Sequence, residues 1–337
     1  MVRSRPTMLD VAKESGASLK TVSRVINGEP GVKPELAIKV RNAVKKLDYR
    51  HNFTAGSLRR SGGRTQTIGL LLEDISNPFS AALHRAVEDS ARPRGVEVLA
   101  GSMDEDAARE ESLINGFIGR RVDGLIVVPS LSDHAYLANE RKIGTQFVFV
   151  DRPAKNFKAD TVTATNREGV RDAIASLIVN GHKRIAYFGD AATIYTAQER
   201  FDGYKEALKN GKITVDKSIT HLGFSSDIEI ESLLVDLLSR PDRPTAIFTA
   251  QNVITLAVIR SLRAKNLHHK IALIGFDELP LAELLDPAVS LVTQDVQAMG
   301  KIATELLFER LDGRKSPYEE RVIPTTFTAR ASSAIRP

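Results

Sequence analysis

From Thr67 onward the chain alternates short apolar runs with longer amphipathic stretches, and this pattern constrains its fold more than any other feature. TIGLLL precedes NPFSAALHRAVEDSA, VEVLAG precedes AAREESLINGFIGR, and DGLIVVPS and QFVFVD complete a first series. A strand that is apolar at consecutive positions is covered on both faces, so the runs predict a parallel sheet whose connections are helices. A second series follows, with GVRDAIASLIVNG before RIAYFGD, AQERFDGYKEALKNG before SITHLGF, IEIESLLVDLLSR before TAIFTA, and NVITLAVIRSLRAK before IALIGFD. The tail, VSLVTQDVQAMGKIATELLFERLDGR and then RVIPTTFTAR, adds a helix and a final strand without a heptad repeat. The fold class is therefore α/β, with two consecutive lobes, each a parallel sheet flanked by helices.

The N-terminal part reads differently. Thr7 can cap a helix over Met8 to Ser15, Ser18 one over Leu19 to Ile26, and Pro34 opens a run to Leu47, with Gly16 at the first turn. Leu9, Val11, Ala12, Val22, Val25, Ile26, Leu36, Ile38, Val40, Val44 and Leu47 are expected to form its small core. FTAGSLRRSGGR, rich in Gly and Arg, reads as a linker. Residues 1–64 hold 14 Lys and Arg against 5 Asp and Glu, whereas the remainder holds 33 against 37. A basic head on a mildly acidic body suits phosphate contact at one end.

Several function classes drop out. With no cysteine, the chain has no disulfide framework, thiolate metal site or Cys nucleophile. No run reaches the roughly 20 apolar residues of a membrane span, and MVRSRPTMLD lacks a secretory apolar run, so a cytoplasmic protein is expected. No nucleophile elbow, P-loop, dinucleotide fingerprint or H-E-x-x-H occurs, so neither an enzyme nor a cofactor is expected. The adjacent His268 and His269 point to different faces, which argues against a shared metal site.

The stretch TMLDVAKESGASLKTVSRVINGEPGVKPELAIKVRNAVKKLDYRHNFTAGSLRR closely resembles the headpiece of the LacI/GalR family. The alternation behind it is similar to that family's periplasmic-binding-protein-like core. SLKTVSRVIN followed by N-x-x-A-x-x-L, here Asn52, Ala55 and Leu58, carries the resemblance. It implies a helix-turn-helix headpiece (1–52), a hinge (53–64), and a core of two subdomains (65–163 with 293–323, and 164–292 with 324–337).

By the family pattern Leu19, Lys20 and Arg24 read base edges in the major groove, Leu19 against a thymine methyl and the two cations on guanine. Thr7, Ser18, Thr21, Ser23 and Asn27 are assigned to phosphate contacts or caps. The family's hinge forms a short helix on DNA, and its leucine, here Leu58, wedges between base pairs with Arg59 beside it. Gly56 departs from the longer side chain often found there and costs about 1 kcal/mol in a helix.

Ligands of doubly wound sheets bind at the carboxyl ends of strands. Those ends present Asn77 and Phe79, Asp151 and Arg152, Gln251, Asp277 and Gln294, with Arg200 on AQERFDGY and Phe224 after SITHLG. Carboxylates, amides and guanidiniums around aromatic faces suit polyhydroxylated rings, and the resemblance assigns these nine residues to a sugar pocket. Ser80 and Gln251 depart from the ribose-binding pattern, which has a second Phe and commonly an Asn there. The expected function is a sequence-specific transcriptional repressor, binding a palindromic double-stranded operator as a homodimer under a small sugar-like effector. A solute-binding protein on the same core is the alternative.

Overall fold

The computed structural model describes residues 6–26, 28–49, 64–130, 133–224 and 227–337. Asn27, Asn52, Ala55, Leu58 and Arg59 lie outside the described residues. The chain divides into two compact units, Met1–Thr65 and Gln66–Pro337.

In the first unit α1 (Met8–Ser15), α2 (Leu19–Ile26) and α3 (Pro34–Lys46) share one core. Thr7 closes a capping box with Asp10: the Asp10 amide donates to the Thr7 hydroxyl at 3.3 Å, and Thr7 N donates to the Asp10 carboxylate at 2.8 Å. Gly16 ends α1 at φ 67°, a conformation natural to glycine. Val11, Val22 and Val40 are fully buried, with Tyr49 beside them. Leu9 and Ile38, expected in this core, are instead exposed at 54% and 56%. Helical geometry explains the difference. Met8, Val11, Ala12 and Ser15 fall on one face of α1 and Val40, Ala43, Val44 and Leu47 on one face of α3, and neither stripe includes Leu9 or Ile38.

The second unit holds two six-stranded sheets. The first contains β1 (Thr67–Leu72), β2 (Glu97–Ser102), β3 (Gly124–Val127), β4 (Gln146–Val150), β5 (Asp160–Ala164) and β11 (Glu320–Ile323), in the order β11-β5-β4-β3-β1-β2. The second contains β6 (Ile185–Gly189), β7 (Thr220–Leu222), β8 (Ala246–Thr249), β9 (Ala272–Phe276), β10 (Ser290–Thr293) and β12 (Thr326–Thr328), in the order β12-β10-β9-β8-β6-β7. The orders match position for position, and the pairings are parallel except between β10 and β12.

Each strand alternates its side chains between two cores. Leu70 and Leu72 pack beneath α4 (Pro78–Ala91) and α11 (Val296–Leu311), while Leu71 joins Phe117 of α5 (Ala107–Gly119) and Leu137 of α6 (Leu137–Lys142). In the second lobe Tyr187 and Phe248 face α7 (Asn166–Val179) and α8 (Tyr195–Asn210), while Phe188 and Ile247 face α9 (Asp227–Ser239) and α10 (Asn252–Ala264). Each fully buried aliphatic or aromatic side chain contributes about 1.5–3 kcal/mol. Helix α11 approaches α4 so closely that a Cβ on Gly300 would stand 2.6 Å from Ala86 Cβ, which explains the glycine.

The chain passes between the sheets after β5, after β10 and after β11. Two of these crossings are tied together, since Thr325 N donates to the Thr165 hydroxyl at 2.8 Å. No helix among the described residues is long and apolar enough to cross a membrane.

Candidate functional site

Equivalent strands of the two sheets deliver equivalent groups to one cavity of about 500 Å³, open mouth included. Asp151 follows β4 and Asp277 follows β9. Both adopt φ 70°, and both donate their backbone N–H to the neighbouring strand at 2.8 Å, Asp151 to Val162 and Asp277 to Val292. A short polar side chain tolerates this left-handed conformation better than most, and here it turns a carboxylate off the sheet and into the cavity. Glu73 follows β1 and Asp190 follows β6, so each lobe places a second acid at the end of the strand next to its edge strand, β2 or β7.

The cations are held in place by these acids and by the backbone. Arg152 is 7% exposed and reaches Glu105 at 2.6 and 2.8 Å, Asp151 at 3.3 Å and the Pro129 carbonyl at 3.3 Å. Arg200, on α8, donates to Asn166 Oδ1 at 2.8 Å, to the Ala250 carbonyl at 2.7 Å and to Asp277 Oδ2 at 3.5 Å. Its guanidinium also lies 3.8 Å from the centre of the Phe276 ring. Gln294 Nε2 donates to Asp277 Oδ1 at 2.8 Å.

Asn77 caps α4, its Oδ1 accepting from Phe79 N at 3.0 Å, and the same oxygen accepts from Asn252 Nδ2 of the other lobe at 2.9 Å. A helix cap thus doubles as a bond across the cleft. Burial raises the Glu73 carboxyl to about 7, helped by repulsion from Glu105 and opposed by Arg152. Burial likewise raises Asp151, against the pull of Arg152 and Arg200.

Asn77, Phe79, Asp151, Arg152, Arg200, Gln251, Asp277 and Gln294 all line this cavity. Phe224 does not. It follows β7 at the sheet edge, and its ring packs edge-on against Phe188, 5.9 Å between centroids. Sequence reasoning missed Glu73, Asp190 and Thr196, which also line the cavity. The first two follow the last apolar residues of TIGLLL and RIAYFG directly, so the strand-end rule could have found them.

In the headpiece, the Thr21 amide donates to Ser18 Oγ at 3.2 Å, making Ser18 the cap of α2, and Leu19 and Lys20 stand exposed beside it. Thr21, Ser23 and Arg24 are half-buried on the same helix. Arg24 folds back onto the Pro30 carbonyl and lies 3.7 Å from Glu29, so its guanidinium is engaged within the headpiece.

Comparison with known proteins bears on both units. The family described as bacterial regulatory proteins, lacI family, matches residues 7–52, and the periplasmic binding protein-like domain matches residues 174–333. Catabolite control protein A of Priestia megaterium is 32% identical, over 89% of this chain and 91% of that one. The ribose operon repressor of Bacillus subtilis (strain 168) is 31% identical, over 97% and 98%. A solved complex of the transcriptional regulator CelR with cellobiose superposes with a TM-score of 0.71 at 29% identity, covering 97% of this chain and all of that one. These likenesses run through the headpiece and both lobes at once and lead to regulators, not enzymes: the chain belongs to the LacI family of bacterial transcriptional regulators.

Proposed function

We propose that this regulator is a dimeric repressor whose operator affinity is set by a small polyhydroxylated effector in the cavity between the lobes. The observation that carries the reading is the paired presentation of Asp151 and Asp277 at equivalent strand ends, each beside a buried arginine. Carboxylates accept ring hydroxyls in charge-assisted bonds, and Phe79 offers a flat apolar face. The cellobiose of the CelR complex and the name of the ribose operon repressor support a saccharide class. The lobes are taken as 65–163 with 293–323 and 164–292 with 324–337, joined through the hinge 53–64 to the headpiece 1–52.

Exposed apolar side chains support the homodimer. Ile228 and Val235 on α9 and Val253 and Leu256 on α10 are exposed on two helices whose buried faces share one hydrophobic cluster, and Leu281 and Leu284, whose chain neighbours Leu279 and Ala282 belong to that cluster, are exposed as well. Two headpieces related by a twofold axis read a palindrome, with Leu19, Lys20 and Arg24 on base edges and Thr7, Ser18, Thr21, Ser23 and Asn27 positioning the module. In this reading Arg24 leaves Glu29 and Pro30 on binding. Asn52, Ala55, Leu58 and Arg59 then act from the hinge. Ligand closure alters the spacing of the two hinges, which couples cavity to operator.

The test is selection of fragments of the source genome by the purified full chain at near-physiological salt, with and without a panel of pentoses, hexoses and disaccharides. Enrichment of a palindromic site, altered by one ligand and no longer altered in Asp277→Asn, is the expected result. A site that no ligand alters, or whose response survives Asp277→Asn, removes the cavity from the mechanism.

A further inference from the structure

The polar groups around the cavity do not balance. Glu73, Asp151, Asp190 and Asp277 face two guanidiniums, Arg152 and Arg200. Arg152 is also shared with Glu105, just outside the lining. Most of the donors are spent: Arg152 on Glu105 and Pro129, Arg200 on Asn166, Ala250 and Asp277, and Gln294 Nε2 on Asp277.

The unspent capacity is mainly acceptor, with Arg152 Nε the one buried donor of the lining, among the described residues, that makes no hydrogen bond. The Glu73 carboxylate makes no hydrogen bond or ion pair among the described residues. Asp151, 5% exposed, has only Arg152 Nε at 3.3 Å from Oδ2, which leaves Oδ1 to the cavity. Gln294 Oε1 is buried without a partner. Asp190 engages one oxygen with the Ala191 amide and directs no ion pair at any described residue.

We propose, on the reading of this cavity as the effector site, that the effector is cationic, an amino or imino sugar, with its ammonium group between Glu73 of the first lobe and Asp190 of the second. A neutral sugar supplies hydroxyl donors but leaves two acids from opposing lobes desolvated on closure without a counter-charge. An ammonium group brings one positive charge and up to three donors, matched to acceptors that surround it. A metal ion is the poorer match, since the described residues contain no group of three or more His, Cys, Asp or Glu that could hold one. The Glu73 carboxyl is raised first by burial and then by Glu105, with smaller repulsion from Asp190 and Asp151, and Arg152 is the one cation that opposes them.

Titration calorimetry on the full chain at neutral pH compares D-glucosamine with D-glucose, D-galactosamine with D-galactose, and 1-deoxynojirimycin with 1,5-anhydroglucitol. The amine of at least one pair is expected to bind about tenfold or more tightly than its neutral twin. Glu73→Gln and Asp190→Asn, each shown to be folded by its thermal transition, are expected to bring that ratio to within about threefold. Binding in which no amine of the three pairs exceeds its neutral twin overturns the cationic assignment and leaves the effector cavity standing. An amine preference untouched by both variants overturns the placement between Glu73 and Asp190. Absence of binding by every member overturns the cationic assignment and the sugar reading together.

Discussion

Replacing Glu73 by Gln should stabilise the protein, and only where the carboxyl would ionise. In the folded chain this group titrates near 7, against 4.5 for an unperturbed glutamate. Because the folded pKa is raised, the unfolded chain gives up its proton first. Folding stability is therefore lost as pH rises from about 4.5, and the loss is complete just above 7. At about 1.36 kcal/mol per pKa unit the full loss is about 3 kcal/mol, and partial exposure of the side chain lowers it to about 2 kcal/mol. Gln keeps the shape and has no proton to lose, so its stability lacks this dependence. For a unit of this size about 2 kcal/mol corresponds to a rise in Tm of about 4–8 °C. Scanning calorimetry of both proteins at pH 5, 6, 7 and 8 should show nearly coincident transitions at the acid end and a gap that opens towards pH 8. A gap of the same size at every pH would refute the reasoning, because it would arise from packing and not from ionisation.

Arg310→Ala should cost about 3–5 kcal/mol, since Asp160 is fully buried and takes bonds of 2.6 and 2.9 Å from that guanidinium; denaturant unfolding of the variant beside Asp160→Asn/Arg310→Met, in which neither charge remains, separates an orphaned charge from lost packing. Asn252→Ala removes the Asn77 bond across the cleft and should weaken effector affinity by about 1 kcal/mol, measured by calorimetry; an unchanged affinity would mean that closure does not use this contact. Leu58→Ala should weaken operator binding far more than nonspecific DNA binding in anisotropy titrations, and equal losses would sink the wedge assignment.

Much of the architecture is legible in the sequence because strand burial is written locally. A run such as TIGLLL is apolar at successive positions only if both faces are covered, and the observed strand places Leu70 and Leu72 in one core and Leu71 in the other. Caps are equally local: Thr7 and Ser18 meet amides three residues on. The strand-end rule reached Asn77, Asp151, Gln251, Asp277 and Gln294 for the same reason, since a strand's carboxyl end is read directly where its apolar run stops.

What the sequence could not settle is which strand ends face the cleft and what each side chain meets there. Phe224 and Asp190 both follow strands of the second sheet, yet β7 is an edge strand and β6 an inner one, and that order is a property of the whole sheet. Arg24 reads as a groove contact along α2, but the turn at Glu29 and Pro30 brings an acid and a carbonyl within its reach. Leu9 and Ile38 lie solvent-side because helix packing admits one stripe and leaves the other apolar positions out. Local sequence determined the elements and the caps of this protein. Its charge imbalance, the bond between Asn77 and Asn252 and the perturbed Glu73 were decided by tertiary structure alone, because Coulomb interaction and desolvation depend on distances between residues far apart in the chain.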